Sequence, residues 1–119
     1  MSDKPQITDS HCHLDFPDFN DDLSQVINNA LQNGVSRMVT ICTRLKNEPL
    51  VRKISEDYKA VYYAAGNHPM SVSSEPMANF NELISLSKHP KFIAIGETGL
   101  DYHYTSETAE AQKLSLIHI

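Results

Sequence analysis

The chain has 119 residues, with 10 Lys+Arg against 15 Asp+Glu and a formal net charge of −5 at pH 7. At 40% hydrophobic and 21% charged, with 4 Gly and 6 Pro, it is neither collagen-like, low-complexity nor wholly disordered. The acidic balance argues against a nucleic-acid binder relying on a basic surface, while leaving room for an enzyme whose metals supply the positive charge.

Four apolar, strand-like segments alternate with helix-like ones. The first strand is expected at residues 6–10. Between it and the second, the segment NDDLSQVINNALQNG carries Leu23, Val26, Ile27, Ala30 and Leu31 at the spacing of one helix face. Asn20 is expected to cap that helix, Asp21 and Asp22 favour its positive end, and Gly34 can close it. A second strand is expected at 37–42, then a helix at 48–58 aligning Leu50, Ile54 and Tyr58. A third strand follows at 60–65, then a helix at 75–88 aligning Met77, Phe80 and Ile84 and stopping before Pro90. The fourth strand is expected at 92–96, and a last helix begins near Ser106, capped by that serine.

Strand starts about 25 to 30 residues apart match the size of one βαβ unit and imply a parallel sheet covered by helices. The chain reads as one domain over residues 1–113, which would bury roughly 65% of its unfolded surface. Four βα units make either a small open sheet or half of an eight-unit barrel. The half-barrel leaves two unpaired strand edges and an uncovered inner layer.

No run approaches the roughly 20 apolar residues of a membrane span, and the start MSDKPQITDSHCH lacks the apolar core of a secretory signal. Two cysteines, Cys12 and Cys42, make no disulfide framework; both are read as small buried hydrophobes in a reduced, cytoplasmic chain.

Chemistry-bearing residues gather at the strand ends. The first strand runs into Asp9-Ser10-His11-Cys12-His13-Leu14-Asp15. Residues two apart on a strand share a face, so His11 and His13 present two imidazoles together while Cys12 points away. The pair suits a Zn²⁺-like cation completed by a carboxylate and water; the alternative is two surface histidines at a loop entrance. Glu97 follows an apolar run, where a carboxylate wants a partner, either a metal or nearby amides. His68 ends the third strand, where parallel-sheet enzymes build their sites, or it serves as a structural hydrogen-bonder. Arg44, at the end of the second, could clamp a phosphate or remain solvated. His89, His103 and His118 show no spacing partner and are read as surface residues.

The motifs Asp9-Ser-His11-Cys-His13-Leu-Asp15-Phe16, Gly66-Asn-His68-Pro69 and Gly96-Glu97-Thr98-Gly99-Leu100-Asp101-Tyr102 together resemble the TatD family of metal-dependent deoxyribonucleases. Asn67 departs from that pattern, which more often has an apolar residue there. The resemblance implies an α/β fold that is the N-terminal half, about four βα units, of a (β/α)₈ TIM barrel. It implies that His11 and His13 bind one metal, that Glu97 is the catalytic carboxylate bridging two, and that His68 lies beside the substrate phosphate. Asp101 would orient the metal's ligands. The cofactors would be two divalent ions (Mg²⁺, Mn²⁺ or Zn²⁺), the partner DNA, and the reaction phosphodiester hydrolysis from a 3′ end. A full barrel needs about 250 residues, and the family's two further histidines and aspartate come from later strands. The chain alone is therefore expected to be inactive or nearly so. The last six residues, 114–119, correspond to a translated sequencing-library adapter and are expected to be a non-native tail. Two alternatives stay open: ester hydrolysis on another substrate, such as aminoacyl-tRNA or a small-molecule ester, and a non-catalytic module that binds a metal or a partner.

Overall fold

The computed structural model describes residues 5–118. Four strands, β1 (Ile7–Cys12), β2 (Val35–Cys42), β3 (Val61–Ala65) and β4 (Phe92–Ile95), alternate with helices α1 (Leu23–Gln32), α2 (Glu48–Asp57), α3 (Phe80–Leu86) and α4 (Ala109–Ser115). The sheet order is β1-β2-β3-β4, and every pairing is parallel. This sequential order excludes the reversal that defines doubly wound folds and is the progression of a barrel wall.

The pairing of β2 with β3 is unbroken from Met38↔Val61 to Cys42↔Ala65, so side chains sort cleanly between faces. Met38 and Val61 face α1 and α2, packing with Leu14, Ile27 and Ile54. Further along the same face, Cys42, Tyr63 and Ala65 pack with Val51. Val39, Ile41 and Ala64 form a separate cluster on the other face, the side that becomes a barrel interior. Burying an aliphatic side chain such as Ile27 contributes about 1.5–3 kcal/mol, and these helix-face residues hold the wall together. Among the described residues both outer strands keep an unpaired edge, with Ile7, Ile93 and Ile95 exposed.

Several local expectations change. Asn20 closes a short 3₁₀ turn, Pro17–Phe19, and α1 starts after Asp22, which makes no side-chain cap. Gly34 does close α1: its φ of 93° permits the left-handed turn, and its N–H bonds to the Leu31 carbonyl. On α2 the buried stripe is Glu48, Val51, Ile54 and Ser55, leaving Leu50 exposed. Glu48 enters that stripe because Tyr63 donates to its Oε1 at 3.0 Å and Arg52 pairs with it at 3.4 Å. The third helix is shorter than residues 75–88 because Asn79 caps it, accepting from the Glu82 N–H at 2.8 Å. Its buried residue is Leu83, while Met77, Phe80 and Ile84 are exposed. The last helix starts at Ala109 after Thr108; Ser106 contributes its carbonyl to the preceding turn rather than a side-chain cap. Cys42 is buried, whereas Cys12 is only partly so, its thiol 3.4 Å from the Val39 carbonyl. Both thiols are free.

Candidate metal centre

The C-terminal ends of β1, β3 and β4 bring His11, His13, His68 and Glu97 to one mouth of the sheet. Glu97 is the common point. Its Oε2 lies 3.5 Å from His11 Nε2 and 3.9 Å from His13 Nε2, and its Oε1 lies 3.4 Å from His68 Nε2. His11 and His13 meet edge to face with ring centroids 5.0 Å apart, as residues two apart on a strand end should.

β2 donates no side chain to this cluster, yet the backbone at its end anchors three of the four residues. The Ile41 carbonyl faces His13 Nδ1 at 3.1 Å, the Cys42 carbonyl accepts from the Glu97 N–H at 3.2 Å, and the Thr43 carbonyl accepts from the His68 N–H at 2.8 Å. One residue earlier, Thr40 Oγ1 accepts from the Leu14 N–H at 3.0 Å. The third and fourth strand ends close together at Gly66, where an added Cβ would meet Gly96 backbone at 3.2 Å. The Gly96–Glu97 peptide is cis.

The hydrogen bonds assign the two ring tautomers. A carbonyl can only accept, so His13 Nδ1 carries a proton, which leaves Nε2, the nitrogen facing Glu97, as the one that can bind a metal. At His68 the Met70 N–H donates to Nδ1 at 3.0 Å, which puts the proton on Nε2. His13 is therefore dressed as a metal ligand, with its second nitrogen held by a carbonyl, and His68 as a hydrogen-bond donor. In agreement, the ligand atoms of His11, His13 and Glu97 lie within 4.8 Å of one another. Two imidazoles and a carboxylate suit Zn²⁺ and related divalent ions, so these residues fit a metal.

The remaining candidates lie elsewhere. Arg44 is not a lone solvated residue: with Lys46 it pairs with Glu75, at 3.3 and 3.1 Å. Asp101 accepts from the His103 N–H, and its own N–H bonds to Gln112 Oε1, so it is tied to α4 rather than to the imidazoles. His89, read as a surface residue, pairs with Glu56 at 2.9 Å and packs edge-on against Tyr63. His103 packs on Tyr104, and the side chain of His118 lies outside the described residues. Asn67 is buried and ties three segments together through Leu45 N–H, at 2.9 Å, and the Pro76 carbonyl, at 3.3 Å. That role explains a polar residue where the resemblance leads one to expect an apolar one. Asp15 carries a buried Oδ1 with no hydrogen-bond partner, and burial raises its pKa. Its place in the first motif was its only sequence signal.

A family model described as TatD related DNase matches residues 8–119. An uncharacterized metal-dependent hydrolase of Buchnera aphidicola is 34% identical over 116 residues, covering 90% of this chain and 44% of the relative. The 3′-5′ ssDNA/RNA exonuclease TatD of Shigella flexneri is 29% identical over 99 residues, covering 83% of this chain and 38% of the relative. Among solved structures, the TatD homologue YjjV of Escherichia coli superposes with a TM-score of 0.84 at 31% identity, over 94% of this chain and 44% of that one. The chain thus spans less than half the length of the proteins it matches, and its four-strand wall corresponds to the N-terminal half of their barrel. With the sequential parallel wall, the histidine–carboxylate mouth and the family match over nearly its whole length, the chain belongs to the TatD family of metal-dependent hydrolases.

Proposed function

We propose that this chain forms the metal-binding N-terminal portion of a phosphodiesterase that hydrolyses DNA from a 3′ end, with two divalent ions and in the cytoplasm. The observation that carries the reading is the division of labour around Glu97. Two imidazoles converge on Oε2, one of them with its far nitrogen protonated against a carbonyl, while a third imidazole at Oε1 carries its proton on the facing nitrogen. A divalent ion held by His11, His13 and Glu97 would supply Lewis-acid polarisation of a phosphoryl oxygen and a more acidic bound water.

The chain's own groups do the rest. His13 is kept from rotating by the Ile41 carbonyl, so its Nε2 holds one direction. Glu97, fixed through its N–H to the Cys42 carbonyl, offers one oxygen to the histidine pair and the other toward His68. In this reading His68 Nε2–H donates to a phosphate oxygen, where a preorganised donor stabilises charge as it develops. The nuclease relative at 29% identity supports DNA as the substrate class. We place the remaining ligands in the additional length of the relatives, and read residues 114–119 as a tail outside this site.

The test compares 3′-labelled single-stranded DNA with an aminoacyl-tRNA deacylation substrate, each with Mg²⁺, Mn²⁺ or Zn²⁺, using this chain and a version extended to the length of its relatives. The expected result is metal-dependent release of nucleotides from the 3′ end by the extended protein, lost in Glu97→Ala. Deacylation without nucleotide release would overturn the substrate assignment. Robust turnover by this chain alone would overturn the need for further ligands.

A further inference from the structure

At the opposite end of the strands from the metal centre, the C-terminal ends of α1 and α2 and the first residues of β2 and β3 enclose a groove of about 490 Å³. That volume falls in the small-molecule range. Its lining combines the apolar Ile27, Leu31 and Ala60 with Arg37, Lys59, Tyr58 and Tyr62; Arg37 and Tyr62 stand on the sheet face opposite the one that packs on α1, so the groove wraps the lower rim of the sheet. The charges there run against the chain's acidic balance. Arg37 and Lys59 have no hydrogen-bond or ion-pair partner through their side chains in the described structure. The one acid on the lining, Asp57, is engaged by Lys53.

Helix C-termini ordinarily repel anions, but at this one the repulsion is met from within the chain. Lys91 Nζ binds the carbonyls of Tyr58, Lys59 and Val61 at 3.4, 2.8 and 2.9 Å, covering the end of α2 with an ammonium. The same ammonium sits 4.5 Å from the centroid of the Tyr62 ring, so a cation backs one face of that aromatic. The Tyr58 hydroxyl is held by Ser24 Oγ at 2.8 Å, which orients its ring.

An unpaired guanidinium sharing a sheet face with an aromatic ring is a combination that takes a phosphate on the cation and a planar base on the ring. We infer that this groove is a second ligand site, separate from the metal centre, for a nucleoside monophosphate. Arg37 and Lys59 hold the phosphate, and the base lies against Tyr62, which shares Arg37's face of the sheet. This site is read from the groove itself and does not rest on the hydrolysis proposed above.

The experiment follows amide resonances of ¹⁵N-labelled chain, without metal, during titration with deoxyadenosine 5′-monophosphate. Separate arms use deoxyadenosine and inorganic phosphate. The expected result is saturable shifts at Arg37, Lys59 and Tyr62 with a Kd below about 1 mM, and binding at least tenfold weaker for each half-ligand. Arg37→Ala and Lys59→Ala are exposed changes that leave the dispersed spectrum intact and should each weaken binding about tenfold. His11→Ala should leave it unchanged. The inference is overturned by an absence of shifts at 5 mM (about five times the expected upper Kd), by shifts confined to the His11–His13 and His68 segments, or by equal binding in Arg37→Ala.

Discussion

Replacing Glu97 with Gln is the sharpest probe of the metal centre, because the change keeps shape and removes the one anion among the three donors. A ligand that binds only the folded chain stabilises it by RT ln(1 + [L]/Kd), about 2.7 kcal/mol when free Zn²⁺ is a hundredfold above Kd. For a chain of this size, about 4 °C per kcal/mol converts this into a rise in Tm of about 11 °C. Loss of a mere supporting partner weakens metal binding by about 10–100-fold, so loss of a direct carboxylate ligand should reach at least the upper figure. At the same free Zn²⁺ the variant then keeps RT ln 2, about 0.4 kcal/mol or about 2 °C. Thermal melts of the wild type, Glu97→Gln, His13→Ala and His68→Ala with buffered Zn²⁺ check this. His13→Ala should behave like Glu97→Gln. His68→Ala should retain most of the shift, since its facing nitrogen carries a proton. A Glu97→Gln variant that keeps two thirds of the wild-type rise, or a His68→Ala variant that loses it, would refute the assignment of donors.

Three further outcomes follow from the packing. Thr40→Val leaves the buried Leu14 amide without its acceptor and should cost about 1–3 kcal/mol, read as a lower urea midpoint. An unchanged midpoint would mean that the link between β2 and the His13 segment carries no weight. Ile27→Ala empties the centre of the helix-face core and should cost about 2–5 kcal/mol by the same measurement. Burial, then the hydrogen bond to Glu48, raises the Tyr63 pKa above its ordinary value. The associated stability is complete below the unfolded tyrosine pKa of about 10 and is lost as pH rises through the higher folded value. Absorbance at 295 nm should therefore show a phenol that lags on titration and coincides with alkaline unfolding. Tyr63→Phe should remove that component, and persistence of the lag in the variant would assign it to another tyrosine.

Much of the site was legible because its residues advertise themselves locally. His11 and His13 share a face by the two-residue period of a strand. Glu97 and His68 each follow an apolar run that ends where a parallel sheet opens. The β-then-α rhythm likewise announced four parallel strands, while the choice between an open sheet and a barrel wall lay outside it. Helix faces were less legible. On α3, Met77, Phe80 and Ile84 fit a periodic stripe, but Asn79 shortens the helix and only Leu83 reaches the wall. On α2, Glu48 is buried because Tyr63 and Arg52, from a strand and the next helical turn, satisfy its charge. Arg52 lies in the same helical window, but Tyr63, fifteen residues on, does not.

By itself, then, the sequence determined which residue types stand at each strand end and that the strands run parallel, since periodicity and strand–helix alternation are properties of neighbouring residues. Only the tertiary structure decided what those residues can do. The assigned tautomers of His13 and His68 come from a carbonyl of β2 and an amide of the following turn. The placement of His13, Glu97 and His68 comes from the backbone of Ile41, Cys42 and Thr43, where every residue type offers the same carbonyl. Backbone acceptors leave no trace in side-chain identity, and the strand that organises this centre supplies it with no side chain at all.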